Sequence, residues 1–212
     1  MQTLISHSKF CTACSILLLL TVSSAAGAEE QYLPLRNHNP FLQIFGLPQF
    51  QSGMLTEDGQ GTSRITFDLA NHSESGIAGS ESVVIDGESY YLNLSWRYGW
   101  SDRIEVGIDL PVVSHNRGFL DSPVERWHDL FGLSNANREG QRNQLRFSFG
   151  QPGTAGLLLD SPATGIGDLR ISAAYAINGA ADGGLALRST LKLPTGDEDK
   201  LMGSGAADLT LG

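Results

Sequence analysis

Six charged residues fall where strict alternation places them on one face of extended segments: Arg97, Glu105, Asp109, Arg170, Arg188 and Lys192. Charges of both signs on an enclosed face can line a water path and set its selectivity, or pair with one another and seal it. A second candidate is nucleophilic. Ser114-His115, with Asp109 and Asp121 nearby in sequence, supplies the residue types of a Ser–His hydrolase. Neighbouring residues on a strand point to opposite faces, so this Ser and His pair directly only if the strand has already ended. The bland alternative is a polar strand end entering a loop. His38, His72, His115 and His128 show no metal-ligand spacing, so no metal site is expected. Gly165-Ile166-Gly167 lacks the rest of a dinucleotide or phosphate fingerprint and reads as a loop-to-strand turn, so no cofactor is expected either.

The elements that carry these residues are strands. Tyr90 to Tyr98 places Tyr90, Leu92, Leu94, Trp96 and Tyr98 on one face and Tyr91, Asn93, Ser95 and Arg97 on the other. Arg103 to Pro111 repeats the pattern, with Ile104, Val106, Ile108 and Leu110 opposite Glu105, Gly107 and Asp109. Only Gly99-Trp100-Ser101-Asp102 separates them, which makes a hairpin. Further strands are expected over 62–71, 168–177 and 185–194, with another starting near Ala206. Each has one apolar and one polar face, and about nine to eleven tilted residues suffice to cross a bilayer. The pattern fits an antiparallel transmembrane meander.

The start of the chain points to export. Lys9, the apolar run Ile16 to Val22 and Ala26-Gly27-Ala28 make a secretory signal over 1–28, cleaved before Glu29. The run is too short for a spanning helix. Cys11 and Cys14 precede it, which excludes lipidation there and leaves the mature chain without cysteine. Losing Lys9 makes the mature chain one charge more negative than the −9 of the full sequence. That balance argues against nucleic acid and against anionic membrane surfaces as partners. The 25 glycines and slightly negative mean hydropathy are those of a barrel, in which only alternate residues meet lipid.

Residues 29–61, with Pro34, Pro40 and Pro48, read as a plug-like extension tucked against or into the barrel at its periplasmic end. The barrel itself is expected over 62–212. Polar 72–87 reads as a loop. The long outer loop 114–164 contains Ser122-Pro123-Val124-Glu125, a helix start with Ser122 as N-cap. A helix to Leu133 follows, with Trp127 and Phe131 packed on a rim or neighbouring loop. Leu145, Phe147 and Phe149 alternate, and Leu157 to Leu159 returns as their partner. Long and short connections alternate along the chain: long at 72–87, 114–164 and 195–205, short at 99–102 and 178–184. Bacterial barrels keep short turns inside and long loops outside. Six strands are fewer than the eight of the smallest such barrels, and no aromatic-ended final strand is present. The chain therefore reads as a fragment, with the reading frame expected to continue past Gly212.

Several stretches together resemble a known family. They are Asn39-Pro40-Phe41 with Ile44-Phe45-Gly46-Leu47-Pro48, Asp109-Leu110-Pro111, Ser114-His115, Gly118-Phe119-Leu120-Asp121, Trp127 to Leu133, and Thr164 to Leu169. The chain resembles the proteobacterial family known as domain of unknown function 3187 over nearly all of its mature length. The resemblance implies an outer-membrane barrel and brings no activity or catalytic residue.

The expected function is that of a non-enzymatic outer-membrane barrel of a Gram-negative cell, a passive channel or porin for small solutes. The alternatives are an outer-membrane lipid hydrolase using Ser114 or His115, a structural or adhesion barrel acting through its outer loops, and a soluble periplasmic β protein. Expected partners are outer-membrane lipid, lipopolysaccharide, the barrel-assembly machinery and a small solute.

Overall fold

Alternating residues with no helical periodicity form hydrogen bonds between segments rather than within them, and the chain does so as one antiparallel ladder. A computed structural model describes residues 36–47, 51–135, 142–151, 156–178 and 184–212. Nine strands lie in chain order: β1 (Gly61–Ala78), β2 (Glu81–Ser101), β3 (Ile104–Asn116), β4 (Arg146–Gly150), β5 (Leu157–Leu159), β6 (Ala163–Ile166), β7 (Arg170–Ala176), β8 (Ala186–Lys192) and β9 (Asp208–Leu211). One helix, α1 (Asp121–Phe131), lies between β3 and β4. The fold is antiparallel and all-β, with this single short helix among the described residues. No described helix is long and apolar enough to cross a membrane.

The main path is a meander. β1 pairs with β2, β2 with β3, β3 with β7, β7 with β8 and β8 with β9. β3 changes partner along its length. Its first half pairs with β7, from Ile104↔Tyr175 to Asp109↔Arg170, and its second half with β6, from Val112↔Ile166 to His115↔Ala163. Pro111 sits at the changeover, where its missing N–H removes no ladder bond on that side, and its carbonyl accepts from Gly167 N at 2.9 Å. β4 and β5 extend the ladder beyond β3, Phe147 facing Ile85 of β2 on one side and Leu159 of β5 on the other.

Three expectations change. Residues 72–87 are not a loop. β1 runs to Ala78 and β2 starts at Glu81, joined through Gly79 at φ +62°. The segment is polar because its faces are not apolar, yet every residue pairs in register, from His72↔Gly87 to Ala78↔Glu81. The helix begins at Asp121, with Leu120 as N-cap and no side-chain cap bond. Ser122 therefore lies inside the first turn and forms no capping box, and Gly132 in the left-handed region ends the helix before Leu133. Lastly, the sheet is not closed into a barrel: among the described residues no strand pairs with the outer edge of β1 or of β9.

The register lines up residues across the ladder. Trp96, Ile108, Ile171, Leu191 and Leu209 form one row on one face and are 39–68 % exposed. The opposite face carries Ser95, Asp109, Arg170, Lys192 and Asp208 in the next row. This polar face is the covered one. Its cover is a strap formed by residues 36–47 and 51–58, which precedes β1. Where the strap and the 195–207 connection meet β2, β4 and β5, a small apolar core forms from Ile85, Leu145, Phe147, Leu159 and Leu201, with Phe41 and Ile44 against it.

The 114–164 connection is fastened by a buried carboxylate. Glu88 is fully buried, and its Oε1 accepts from Phe119 N (2.8 Å) and Leu120 N (2.5 Å). The chain reaches it through Gly118 at φ +74°, where an added Cβ would overlap the Glu88 carboxylate. Gly118→Ala is therefore expected to detach the loop from Glu88 and raise the rate of surface proteolysis between residues 117 and 144. Fragment mapping by mass spectrometry checks this.

Candidate functional site

The polar face is built from short residues that make room for long ones. A Cβ on Gly107 would lie 2.5 Å from Arg97 Cδ and 2.8 Å from Ser172 Oγ. The bare glycine lets Arg97 lie across β3 and reach Asp109 two residues on. Arg97 Nη2 donates to both Asp109 oxygens, at 3.0 and 2.9 Å, a charge-assisted pair, while Nη1 donates to the Trp96 and Ile108 carbonyls. Ser95 Oγ adds a bond to Asp109 Oδ1 at 2.5 Å.

Two further pairs follow along the sheet. Arg188 Nη1 donates to Glu105 Oε1 at 2.6 Å. The other carboxylate oxygen accepts from Thr56 N and Thr56 Oγ1 of the strap, both at 2.8 Å. Lys192 is 1 % exposed and lies between two carboxylates, 2.6 Å from Asp168 and 3.0 Å from Asp208. Asp168 in turn accepts from Gly196 N and Ser204 N, which ties the 195–207 connection to the sheet. Asp208 accepts from Gly46 N of the strap at 2.9 Å, and Thr210 Oγ1 donates to Gly46 O. Alternation over 168–177 puts Asp168 on the Arg170 face, but neither it nor Asp208, at the start of the last strand, is among the six charges that the patterning singles out.

Arg97, Glu105, Asp109, Arg170, Arg188 and Lys192 thus share one face, and five of the six are ion-paired. Arg170 is the exception. It forms no ion pair within 4 Å among the described residues, and its Nε is buried without a hydrogen-bond partner. A cavity remains under the strap, lined by Asp109, Arg170, Arg188 and Lys192 from the sheet and by Gly46 and Gly53 from the strap.

Ser114 and His115 point to opposite faces. Ser114 Oγ meets Thr164 Oγ1 at 2.6 Å, whereas His115 is fully buried on the strap side. There His115 Nδ1 lies 2.9 Å from Ser89 Oγ and Nε2 lies 3.2 Å from Leu201 O, while His72 Nε2 reaches Ser89 Oγ at 3.2 Å. The Leu201 carbonyl can only accept, so the proton of the neutral ring belongs on Nε2, and Ser89 donates to Nδ1. A hydroxyl aimed at His115 is present, but Phe147 lies edge-on to the His115 ring at 5.2 Å and the Ser89 side is closed to solvent. Among the described residues the ring's partners are Ser89 and the Leu201 carbonyl, and no carboxylate orients it. The cluster packs the end of the sheet and has no access for a substrate. His128 bonds Asn135, and the described residues hold no group of three or more His, Cys, Asp or Glu side chains that could hold a metal ion.

Two outcomes follow. Lys192→Met leaves the buried Asp168 without its cation and takes the same cation from the partly exposed Asp208, a change that costs about 3–5 kcal/mol. Urea unfolding of the refolded protein should show that loss, and Arg97→Met, at a partly exposed pair, should cost less. His115 lies beyond the 103–111 stretch, and burial pushes its imidazole below the usual range. A lowered folded value means that stability is complete above the unfolded value of about 6.5 and falls as the pH drops through it. The loss of stability between about pH 7 and pH 5 should be smaller in His115→Gln than in the parent protein.

Comparison with known proteins adds a family and no activity. Neither the comparison with curated proteins nor that with solved structures gives a match. A family model described as "Protein of unknown function (DUF3187)" matches residues 10–212, and the chain belongs to that family.

Proposed function

We propose that this chain is an outer-membrane β-barrel protein, exported by its signal segment, whose polar face lines a path for small solutes that the N-terminal strap occludes. One observation carries the reading: the sheet is inverted relative to a protein built for water. Glu105, Asp168 and Lys192 are each at most 5 % exposed, while the Trp96 row faces outward. Apolar surface left in water costs roughly 25 cal/mol per Å², and contiguous patches of this kind mark contact with lipid or partners. A bilayer removes that cost. The stacked Trp96 and Tyr98 rings, 5.8 Å apart, and the exposed Trp100 sit at the short-turn end, as an aromatic girdle requires. In lipid the free edges of β1 and β9 have to be paired, because no water is present to satisfy them.

The strap supports the gating part. It reaches the short-turn end through the Asp58–Gly99 bridge and Thr56, and the opposite end through Phe41 and Ile44. Its described residues thus meet both ends of the polar face. Among the described residues the strap is held by Thr56 on Glu105, Gly46 on Asp208 and Thr210, and Arg36 beside Asp68 and over the Tyr91 ring. The hydrolase reading draws no support from Ser114, which faces away from His115.

Planar-bilayer recording tests the proposal. The parent protein should show small or rare openings. A Cβ on Gly46 would lie 2.7 Å from Asp208 Cβ, so Gly46→Val should displace the strap and raise conductance severalfold. Arg188→Glu should then shift selectivity toward cations. Recovery of the protein in the soluble periplasmic fraction, or a silent bilayer with both variants, would sink the reading.

A further inference from the structure

Helix α1 is inverted in the same sense as the sheet. An ordinary surface helix buries its apolar stripe and hydrates its charges. Here Asp121 and Glu125, one turn apart, are 5 % and 6 % exposed. Asp121 Oδ1 accepts from Asn71 Nδ2 at 2.9 Å and Oδ2 from Asn143 N at 2.7 Å, and Glu125 pairs with Arg142 at 2.5 Å. Trp127, Leu130 and Phe131 occupy the opposite arc and are 57–75 % exposed. The Trp127 and Phe131 rings lie 4.4 Å apart and pack on each other. Phe119 and Leu133, just outside the helix, are exposed as well.

The place of the helix says what covers this arc. Leu69 and Tyr90 are partners in register on the outward, apolar face, and the next pair on that face is Asn71 and Glu88. Those two residues hold the helix: Asn71 binds Asp121, and Glu88 binds the backbone of 119–120. The helix is therefore seated on the apolar side of the sheet, one step beyond Leu69 and Tyr90, and its exposed aromatics continue the apolar belt. Arg126 borders the apolar arc and Arg117 precedes it, both exposed; Asp121 and Glu125 are turned inward, and Asp129 is the one exposed carboxylate of the helix. Apolar and aromatic side chains flanked by cations are the pattern of a helix lying in a membrane interface, with the cations at the level of lipid phosphates.

We propose that α1 is an interfacial helix that inserts Trp127, Leu130 and Phe131 into the outer-leaflet lipid, with Arg117 and Arg126 facing the anionic headgroups. The proposal rests on the membrane reading above and is separable from it by experiment. The chain has three tryptophans, Trp96, Trp100 and Trp127. One variant keeps only Trp127 (Trp96→Phe with Trp100→Phe), and another keeps only Trp96 (Trp100→Phe with Trp127→Phe). Each is refolded into vesicles of phosphatidylcholine brominated either near the headgroup end or near the middle of the acyl chain, with and without lipid A.

Trp127 should be quenched more strongly by the shallow bromines than by the deep ones. Lipid A should increase that quenching, and Arg117→Glu with Arg126→Glu should abolish the increase. Quenching of Trp96 with none of Trp127 would overturn the inference while leaving the membrane reading intact. Quenching of Trp127 without Trp96 would support the helix and sink the spanning strands. Protection of Trp127 from all bromines, with cross-links between copies through residue 130, would assign the arc to a second chain and overturn the lipid assignment.

Discussion

A charge removed from water has to meet its opposite, and this constraint organises the molecule. Asp109, Asp168 and Lys192 are buried on a face whose neighbours are small or polar, so each must be answered by a partner at hydrogen-bond distance. The answering residues sit in adjacent strands at the same or the next register position. A slip of one residue would send every charge outward and every Ile and Leu inward. Register is therefore specified twice, once by the apolar rows and once by the ion pairs. The bare Gly107 belongs to the same logic, since a side chain there would block the Arg97–Asp109 pair.

The inversion extends beyond the strands. In α1, Asp121 and Glu125 point toward protein and Trp127 and Phe131 away from it, as Glu105 and Asp109 do against Trp96 in the sheet. Two elements of different periodicity follow one rule, which is hard to reconcile with coincidence and simple to reconcile with a common apolar surrounding. The small cores of Ile85, Phe147 and Leu201 and of Tyr91, Val113 and Met202 are exceptions, placed where the 195–207 connection stacks over one end of the polar face. There the chain uses ordinary hydrophobic burial, because protein lies on both sides.

The central strands were readable from sequence because they carry alternation over many residues. Tyr90 to Tyr98 and Ile104 to Asp109 emerge with the faces that alternation assigns. The outer half of the first hairpin was not readable. His72 to Ala78 has few apolar residues, so nothing in its composition separates a ladder strand from a loop, and only pairing with β2 reveals it. β6 was hidden for another reason: four residues ending in Gly-Ile are too few for a period. The six candidate charges land on one face. Sequence could not say which would pair, because Asp168, Asp208 and Thr56 come from strand starts and from the strap. The helix was found and its boundary missed, since Ser122-Pro123 mimics a cap that Leu120 occupies.

The strap also bears on the order in which the chain can assemble. Gly46 meets Asp208 and Thr210 across 162 and 164 residues of sequence, although it precedes β1. Contacts of such separation close late, after the intervening ladder has already shortened the loop between them. Until β9 is in place the strap has only half of its seat. Lys192 must meanwhile share Asp168 without the strap-bound Asp208, and the Glu105 oxygen that Thr56 takes can be left to solvent. The first segment of the chain to be made is thus the last to be fixed, and the polar face stays wet for as long as the sheet is still growing.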